Sequence, residues 1–340
     1  MLQKAFTMLF GVAATTMASS QGDINTYVPY HPKVDNSTYA NIDQVVVTHQ
    51  HLDWYADFTQ NQMEGFILLD MTVISSEPIQ YVTLDMWNQQ LDGVKMLPAD
   101  SAIIATNDAG MVPVNKSPAL TTRITSPNPQ TGQVLIIELD RMYSMGQEFC
   151  LQVFFSTEVG GNDGVFFLQP SQTAGGVQPM MFTNSQDIYG RMSAPQQDTP
   201  SNRITWGGCI TAYQNLTSWM SGDQMGIYQT YAGYYKTCYY NMVPLPNFLM
   251  NVLVGDLVQA YVEPPVGYEL VPSYIIAEPA VIADALAAFP DIPQILVTVQ
   301  DYVWNSGTIN FYPWPTFTLA VLPSVYPMLT LASPQLSFIN

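Results

Sequence analysis

Basic side chains are scarce in this 340-residue chain: 9 Lys and Arg stand against 27 Asp and Glu, a formal charge of −18. A protein that grips duplex phosphates, or a polybasic anchor on an anionic membrane, needs the Lys and Arg that are missing. Nucleic acid and anionic lipid are therefore poor partner candidates. The shortage is uneven, because no Lys or Arg follows Lys236 and no charged residue follows Asp301. Histidine is equally sparse, with only His31, His49 and His51. A zinc-peptidase helix needs two histidines four residues apart with a glutamate beside the first, so that both imidazoles face one metal. That spacing does not occur in this sequence, nor does a Walker loop, a GxGxxG after a strand, or a GxSxG elbow. His49 and His51 share one face of a strand and could hold a metal, but a third ligand is not evident. The reading there is an ordinary strand, with no metal and no cofactor. Carboxylate pairs such as Asp284 and Asp291 read as solvated acids.

Cysteine is limited to Cys150, Cys209 and Cys238, so at most one internal disulfide can form. Cys209 and Cys238 lie in neighbouring strand-like runs and are the expected pair, leaving Cys150 buried or free. Residues 1–20 read as a secretory signal: Lys4 supplies a positive charge, Ala5 to Met17 is apolar, and Ala18-Ser19-Ser20 offers small residues before Gln21. A membrane helix needs about 20 apolar residues, and neither this run nor any other stretch of the sequence supplies them. The expected location is secreted or extracellular. Sequons at Asn36, Asn115 and Asn215 are glycosylation candidates on that route.

What the chain does contain is strand. Residues 44–48, 65–75, 79–86, 133–139, 149–156 and 228–240 are rich in Val, Ile, Phe and Tyr with partial alternation, and Pro, Gly, Asn and Asp separate them. They imply a mainly β protein, a sandwich or saddle of stacked sheets. The Ala-rich run from Glu278 to Phe289 predicts a helix, with Pro279 tolerated in its first turn and Val281, Ala285 and Ala288 on one face. Strand-like runs resume at 294–299 and 316–321.

By this point the residues resemble a known family. His51-Leu52-Asp53 through Asp57-Phe58, then Glu64-Gly65-Phe66, is similar to the opening strands of the aminopeptidase N superfamily of zinc peptidases, most closely its leukotriene hydrolase and aminopeptidase B branch. From Phe167 to Pro200 the chain resembles that branch's TPxQT turn, its Phe-Ser/Thr-Gln segment and its closing Arg…Pro-x-Gln-Asp-Thr-Pro. Pro170, Gln172, Thr173, Gly175, Phe182, Arg191, Pro195, Gln197, Asp198, Thr199 and Pro200 stand where the pattern wants them. Val243-Pro244-Leu245-Pro246 with Val254-Gly255 resembles the end of the family's N-terminal β-domain. Tyr302-Val303-Trp304 and Leu322-Pro323-Ser324 resemble the entry to its catalytic domain. The resemblance covers residues 43–336 and, after the signal peptide read over 1–20, implies an N-terminal β-domain over 21–256 and a partial, zinc-less α+β start of the catalytic domain over 257–340.

The departures weigh on function. The family's GxMEN loop, which holds the substrate amine, is expected to be deleted where Val325-Tyr326-Pro327-Met328 runs into Leu329-Thr330-Leu331, and no HExxH follows before Asn340. Asn184 and Gln186 resemble the family's Gln-x-Gln substrate contact, with Asn184 a substitution, and read as vestigial substrate-binding groups. Gly176 replaces a basic residue of the family's turn. The charge-free residues 302–340 are expected to form an uncovered apolar surface that takes a protein partner, another copy or an extracellular protein. The expected function is a non-catalytic secreted protein using an aminopeptidase-like β-scaffold for interaction or self-assembly. The alternatives are a truncated zinc aminopeptidase and a peptide-binding pseudoenzyme.

Overall fold

A computed structural model describes residues 35–111, 117–304 and 312–340. The signal-like residues 1–20, His31 and the Asn115 sequon lie outside the described residues. In chain order the first strands are β1 (Val45–Asp57), β2 (Gln62–Val73), β3 (Ile79–Met86) and β4 (Gln90–Leu97), followed by helix α1 (Ser101–Asn107). Next come β5 (Thr122–Thr125), β6 (Gln133–Tyr143), β7 (Glu148–Ser156), β8 (Val165–Leu168) and β9 (Met180–Thr183), then the single turn α2 (Gly190–Ser193). Five strands follow, β10 (Ile204–Tyr213), β11 (Thr217–Met220), β12 (Asp223–Tyr231), β13 (Tyr234–Leu245) and β14 (Val252–Gly255). The last part holds β15 (Val258–Tyr261), β16 (Ser273–Ala277), α3 (Ile282–Ala288), α4 (Ile292–Trp304), β17 (Phe317–Val321), β18 (Thr330–Leu331) and β19 (Leu336–Ile339).

The described protein is mainly β, as the sequence implies. A seven-stranded sheet runs β12-β13-β10-β1-β2-β7-β4, with β1 and β10 parallel and the other neighbours antiparallel. One face packs on the three-stranded sheet β3-β6-β5, so that Leu52 and Trp54 share a core with Leu84 and Leu135. The alternation of β3 sets that contact: Val82, Leu84 and Met86 are fully buried and point one way.

Strand β1 does not keep one alternation along its length. Its register to β2 shifts between Val47 and His49, a bulge that inserts a residue and re-aims the side chains beyond it. Val45 and Val47 therefore enter the sandwich core, and beyond the bulge the even-numbered Leu52, Trp54 and Ala56 take that role. His49, His51 and Asp53 turn to the opposite face, beneath α1.

After Gly255 the chain adds a five-stranded sheet and two helices. The four-stranded sheet β11-β14-β9-β8 meets the five-stranded sheet β15-β16-β17-β19-β18 through Phe182, Leu253, Ile276, Leu336 and Phe338. The other face of the five-stranded sheet is covered by α3 and α4, which bring Ala285, Ile292 and Leu296 against Ile275, Phe317 and Leu319. Strands β16 and β17 are parallel with both helices between them, and such a crossover buries a parallel sheet on both faces.

This arrangement corrects several expectations. Residues 294–299 are not a strand: Ile292 and Leu296, four residues apart, lie on the buried face of helix α4. The Ala-rich helix is shorter than expected, Ile282–Ala288, and of the expected face Ala285 is buried while Ala288 is exposed. Residues 228–240 are two strands, β12 and β13, that pair as a hairpin across Ala232 and Gly233. The described part of 302–340 is not an uncovered apolar surface, because β17 and β19 are interior strands with Phe317, Leu319, Leu336 and Phe338 buried. Among its large apolar side chains, Tyr302, Val325 and Leu329 are exposed.

Candidate functional site

The segment that the resemblance singles out leaves β9 and turns sharply. Asn184 is buried, donates through Nδ2 to the Asp163 carbonyl at 3.3 Å, and accepts from the Gln186 amide at 3.4 Å. Its backbone N–H is tied to the Gly164 carbonyl at 2.9 Å, and Asp187 takes a left-handed φ of 58°. Asn184 is therefore a structural brace for this turn. Gln186 differs, since its Oε1 is buried and has no hydrogen-bond partner. An acceptor left so costs about 1–3 kcal/mol, and a donor that reached it would remove that cost.

Just beyond, Arg191 anchors the block that ends in Pro-Gln-Gln-Asp-Thr-Pro. Its Nε donates to Asp198 Oδ2 at 3.0 Å, and its terminal nitrogens donate to the carbonyls of Thr131 and Ser37, each at 2.7 Å. Asp85 lies 3.6 Å from the guanidinium and accepts the amides of Tyr39 and Asp198. Burial pushes Asp198 up to about 6 despite the attraction of Arg191, and burial raises Asp85 in the same way. These groups hold three segments together and have no open position for a ligand.

A third polar group lies beneath α1. Thr106 donates its hydroxyl to the Ala102 carbonyl at 3.0 Å, leaving its oxygen to accept from His49 Nε2 at 2.9 Å and His51 Nδ1 at 3.0 Å. His49 Nδ1 lies 2.6 Å from Thr205 Oγ1, whose hydroxyl also reaches the Thr48 carbonyl at 3.4 Å. The bond to Thr106 places the His51 proton on Nδ1 and leaves Nε2 with a bare lone pair, buried and without a partner. Burial keeps both rings neutral: it brings His49 down to about 4, and with the nearby charges of His49 and Lys236 it brings His51 down to about 3. Lys236 Nζ sits 2.5 Å from Asp53 Oδ2; burial raises the Asp53 carboxyl against the pull of that ammonium.

Cys209 and Cys238 face each other across β10 and β13 and are joined by a disulfide, while Cys150 is a buried free thiol. Asn36 and Asn215 are exposed. Sequence reading missed Asp53, Thr106 and Lys236 as members of one group. The alternation His49, His51, Asp53 was a visible signal for the first; the other two arrive from distant strands and a helix. Elsewhere, a cleft of about 290 Å³ opens between β11, β12 and the five-stranded sheet, lined by Trp219, Asp223, Tyr239, Tyr274 and Gln335. Neither Asn184 nor Gln186 lines it.

No protein-family model matches the chain. Over 314 residues it is 24% identical to aminopeptidase B of Homo sapiens, covering 90% of this chain and 44% of that protein. It is also 24% identical over 309 residues to leukotriene A-4 hydrolase of Xenopus laevis, covering 90% of this chain and 45% of the relative. The chain thus spans less than half the length of these curated relatives. Among solved structures, the fold is similar to leukotriene A4 hydrolase from Saccharomyces cerevisiae, with a TM-score of 0.71, 20% identity, and coverage of 96% and 44% of the two chains. It is similar to an M1 zinc metallopeptidase from Deinococcus radiodurans with a TM-score of 0.64, 16% identity, and coverage of 87% and 60%. Fold and sequence matches agree that this chain is similar to the N-terminal part of aminopeptidase N-like zinc peptidases.

Proposed function

We propose that these residues form the N-terminal, substrate-facing part of an aminopeptidase acting on peptides with a free amino terminus. The observation that carries this reading is Gln186, whose buried Oε1 lacks a partner at the position that resembles the family's substrate glutamine. An amide oxygen there accepts a hydrogen bond from a substrate ammonium and orients it. Asn184, occupied with Asp163 and the Gln186 backbone, keeps the turn in shape and takes no direct part.

The zinc of such an enzyme is not held by this cluster of residues. Among the described residues, the His, Cys and carboxylate groups close enough to share an ion are His51, Asp53 and Cys209. Cys209 is bonded to Cys238 and Asp53 is paired with Lys236, so this group does not fit a catalytic zinc with an open position. The reading places the metal-bearing half on another polypeptide segment, contiguous or companion. Mass spectrometry of the native polypeptides tests it: peptides carrying an HExxH sequence should co-purify with peptides of this chain, and their absence from an intact, active preparation would overturn the reading.

A non-catalytic interaction role is the second reading. Edge strand β12 supports it, since Ile227, Tyr228 and Tyr231 are exposed and the strand carries a single charge, Asp223. Light scattering at high concentration tests it, and a strictly monomeric chain counts against it. The disulfide and the exposed sequon asparagines Asn36 and Asn215 support an exported setting for either reading.

A further inference from the structure

The group beneath α1 has more ligand chemistry than its resting state uses. Ligand atoms of His51, Asp53 and Cys209 lie within 4.8 Å of one another, and Cys238 is bonded to Cys209. The ligands of a tetrahedral zinc ion stand about 3.3–3.8 Å apart, given bonds of about 2.0 Å to nitrogen and 2.3 Å to sulfur. The His51, Asp53 and Cys209 atoms thus stand near that spacing, and Cys238 Sγ reaches the set only by leaving its bond to Cys209. His51 Nε2 already presents a lone pair with no donor to receive, in a side chain 1% exposed. Gly110, at φ +78°, roofs the group: a side chain there would strike Asp53 Oδ2 at 2.6 Å, Lys236 Nζ at 3.0 Å and Cys209 Sγ at 3.2 Å.

We propose that reduction of the Cys209–Cys238 disulfide turns this group into a site for one divalent metal ion of zinc-like softness, ligated by both sulfurs, His51 Nε2 and Asp53. The disulfide and the metal site are two exclusive states of the same residues. A dithiol reductant breaks the S–S bond, delivers two electrons and closes to its own disulfide, leaving two protonated thiols. Metal binding then converts both to thiolates and releases two protons to solvent. The charges balance: two thiolates and the Asp53 carboxylate oppose the metal dication and the Lys236 ammonium, so the buried site is neutral. Lys236 keeps its bond to Asp53 as an outer partner that orients the carboxylate. Cys150 plays no part, because it lies on β7 opposite Asp70, with β2 between it and β1.

The test is a cobalt(II) titration of the full chain after reduction with dithiothreitol and oxygen-free desalting. The expected result is one ion per chain, with a sulfur-to-cobalt charge-transfer band, tetrahedral visible bands and two protons released per ion. The untreated chain should show none of these. His51→Ala should weaken cobalt binding at least about 10-fold, since even outer-sphere partners are worth that much, and Cys150→Ser should leave it unchanged. A reduced chain without the charge-transfer band, equal binding by His51→Ala, or dependence on Cys150 would overturn the proposal. So would a reduced chain that has lost its near-ultraviolet circular dichroism and does not regain it with cobalt.

Discussion

Arg191 and Asp198, seven residues apart, meet through Nε and Oδ2 at 3.0 Å with almost no solvent access to either side chain. The pair closes a loop whose other contacts are backbone carbonyls of Ser37 and Thr131, so a short sequence pattern fixes three distant segments. Its packing explains why the Arg…Gln-Asp-Thr-Pro pattern is specific. Every nitrogen of the Arg191 guanidinium has a hydrogen-bond acceptor, and a buried guanidinium tolerates few substitutes.

Replacing Arg191 by Met should destabilise the fold by about 3–5 kcal/mol, because Asp85 and Asp198 would stay buried without their cation. Urea unfolding followed by circular dichroism measures this through a lower midpoint. A change inside experimental scatter would mean that the carboxylates find other partners.

Asp198 should titrate near pH 6 in the native chain, since burial raises it to about 6 from the ordinary carboxyl value of 3.8. A raised folded value means that the carboxyl's stability contribution is complete below about 3.8 and is lost as pH rises through about 6. His49 and His51 act in the opposite sense, so the global stability curve mixes both. Carboxyl carbon NMR reads the site alone; a midpoint below 3.8 would show that Arg191 outweighs burial.

The Cys209–Cys238 disulfide spans a sequence separation of 29, and closing a loop of that size stabilises the fold by about 3–4 kcal/mol. The double variant Cys209→Ser, Cys238→Ser should lose about that much in denaturant unfolding. A loss under about 1 kcal/mol would indicate an unfolded state already constrained over this hairpin.

Gly207 lets α1 approach the sheet. A Cβ at this position would stand 2.2 Å from Thr106 Oγ1, the atom on which His49 and His51 both converge. Gly207→Ala should therefore displace α1 and cost about 1–3 kcal/mol by overpacking. Faster amide exchange in residues 101–107 is the expected signature, and unchanged protection there would contradict this role.

Much of the sandwich was legible in the residues. Ile79–Met86 is bounded as the alternation implies, and Cys209 and Cys238 do face each other in register. The failures have physical causes. The run read at 44–48 stops short of the true strand, because β1 continues to Asp57 through a bulge between Val47 and His49, a backbone event with no side-chain signature. The two-residue turn at Ala232 and Gly233 offers only one strong turn residue, which merged β12 with β13. Residues 294–299 hold Ile, Leu and two Val, which favour strands by composition, yet Ile292 and Leu296 bury a helical face. The charge-free tail read as exposed because its partners, Ile276, Leu253 and Phe182, come from earlier strands. Lys236 and Asp53 are 183 residues apart, and no local pattern joins them.

The central claim is that these residues serve the substrate side of an aminopeptidase through Gln186. It is tested most directly by assaying native-source protein, with its co-purifying polypeptides, for release of N-terminal residues from short peptides. The account predicts release that stops on chelation, returns with zinc, and shows a raised KM for the Gln186→Leu form of the same preparation. Preparations of intact native protein that release no N-terminal residue at any zinc concentration, or a Gln186→Leu form with unchanged KM, would contradict it.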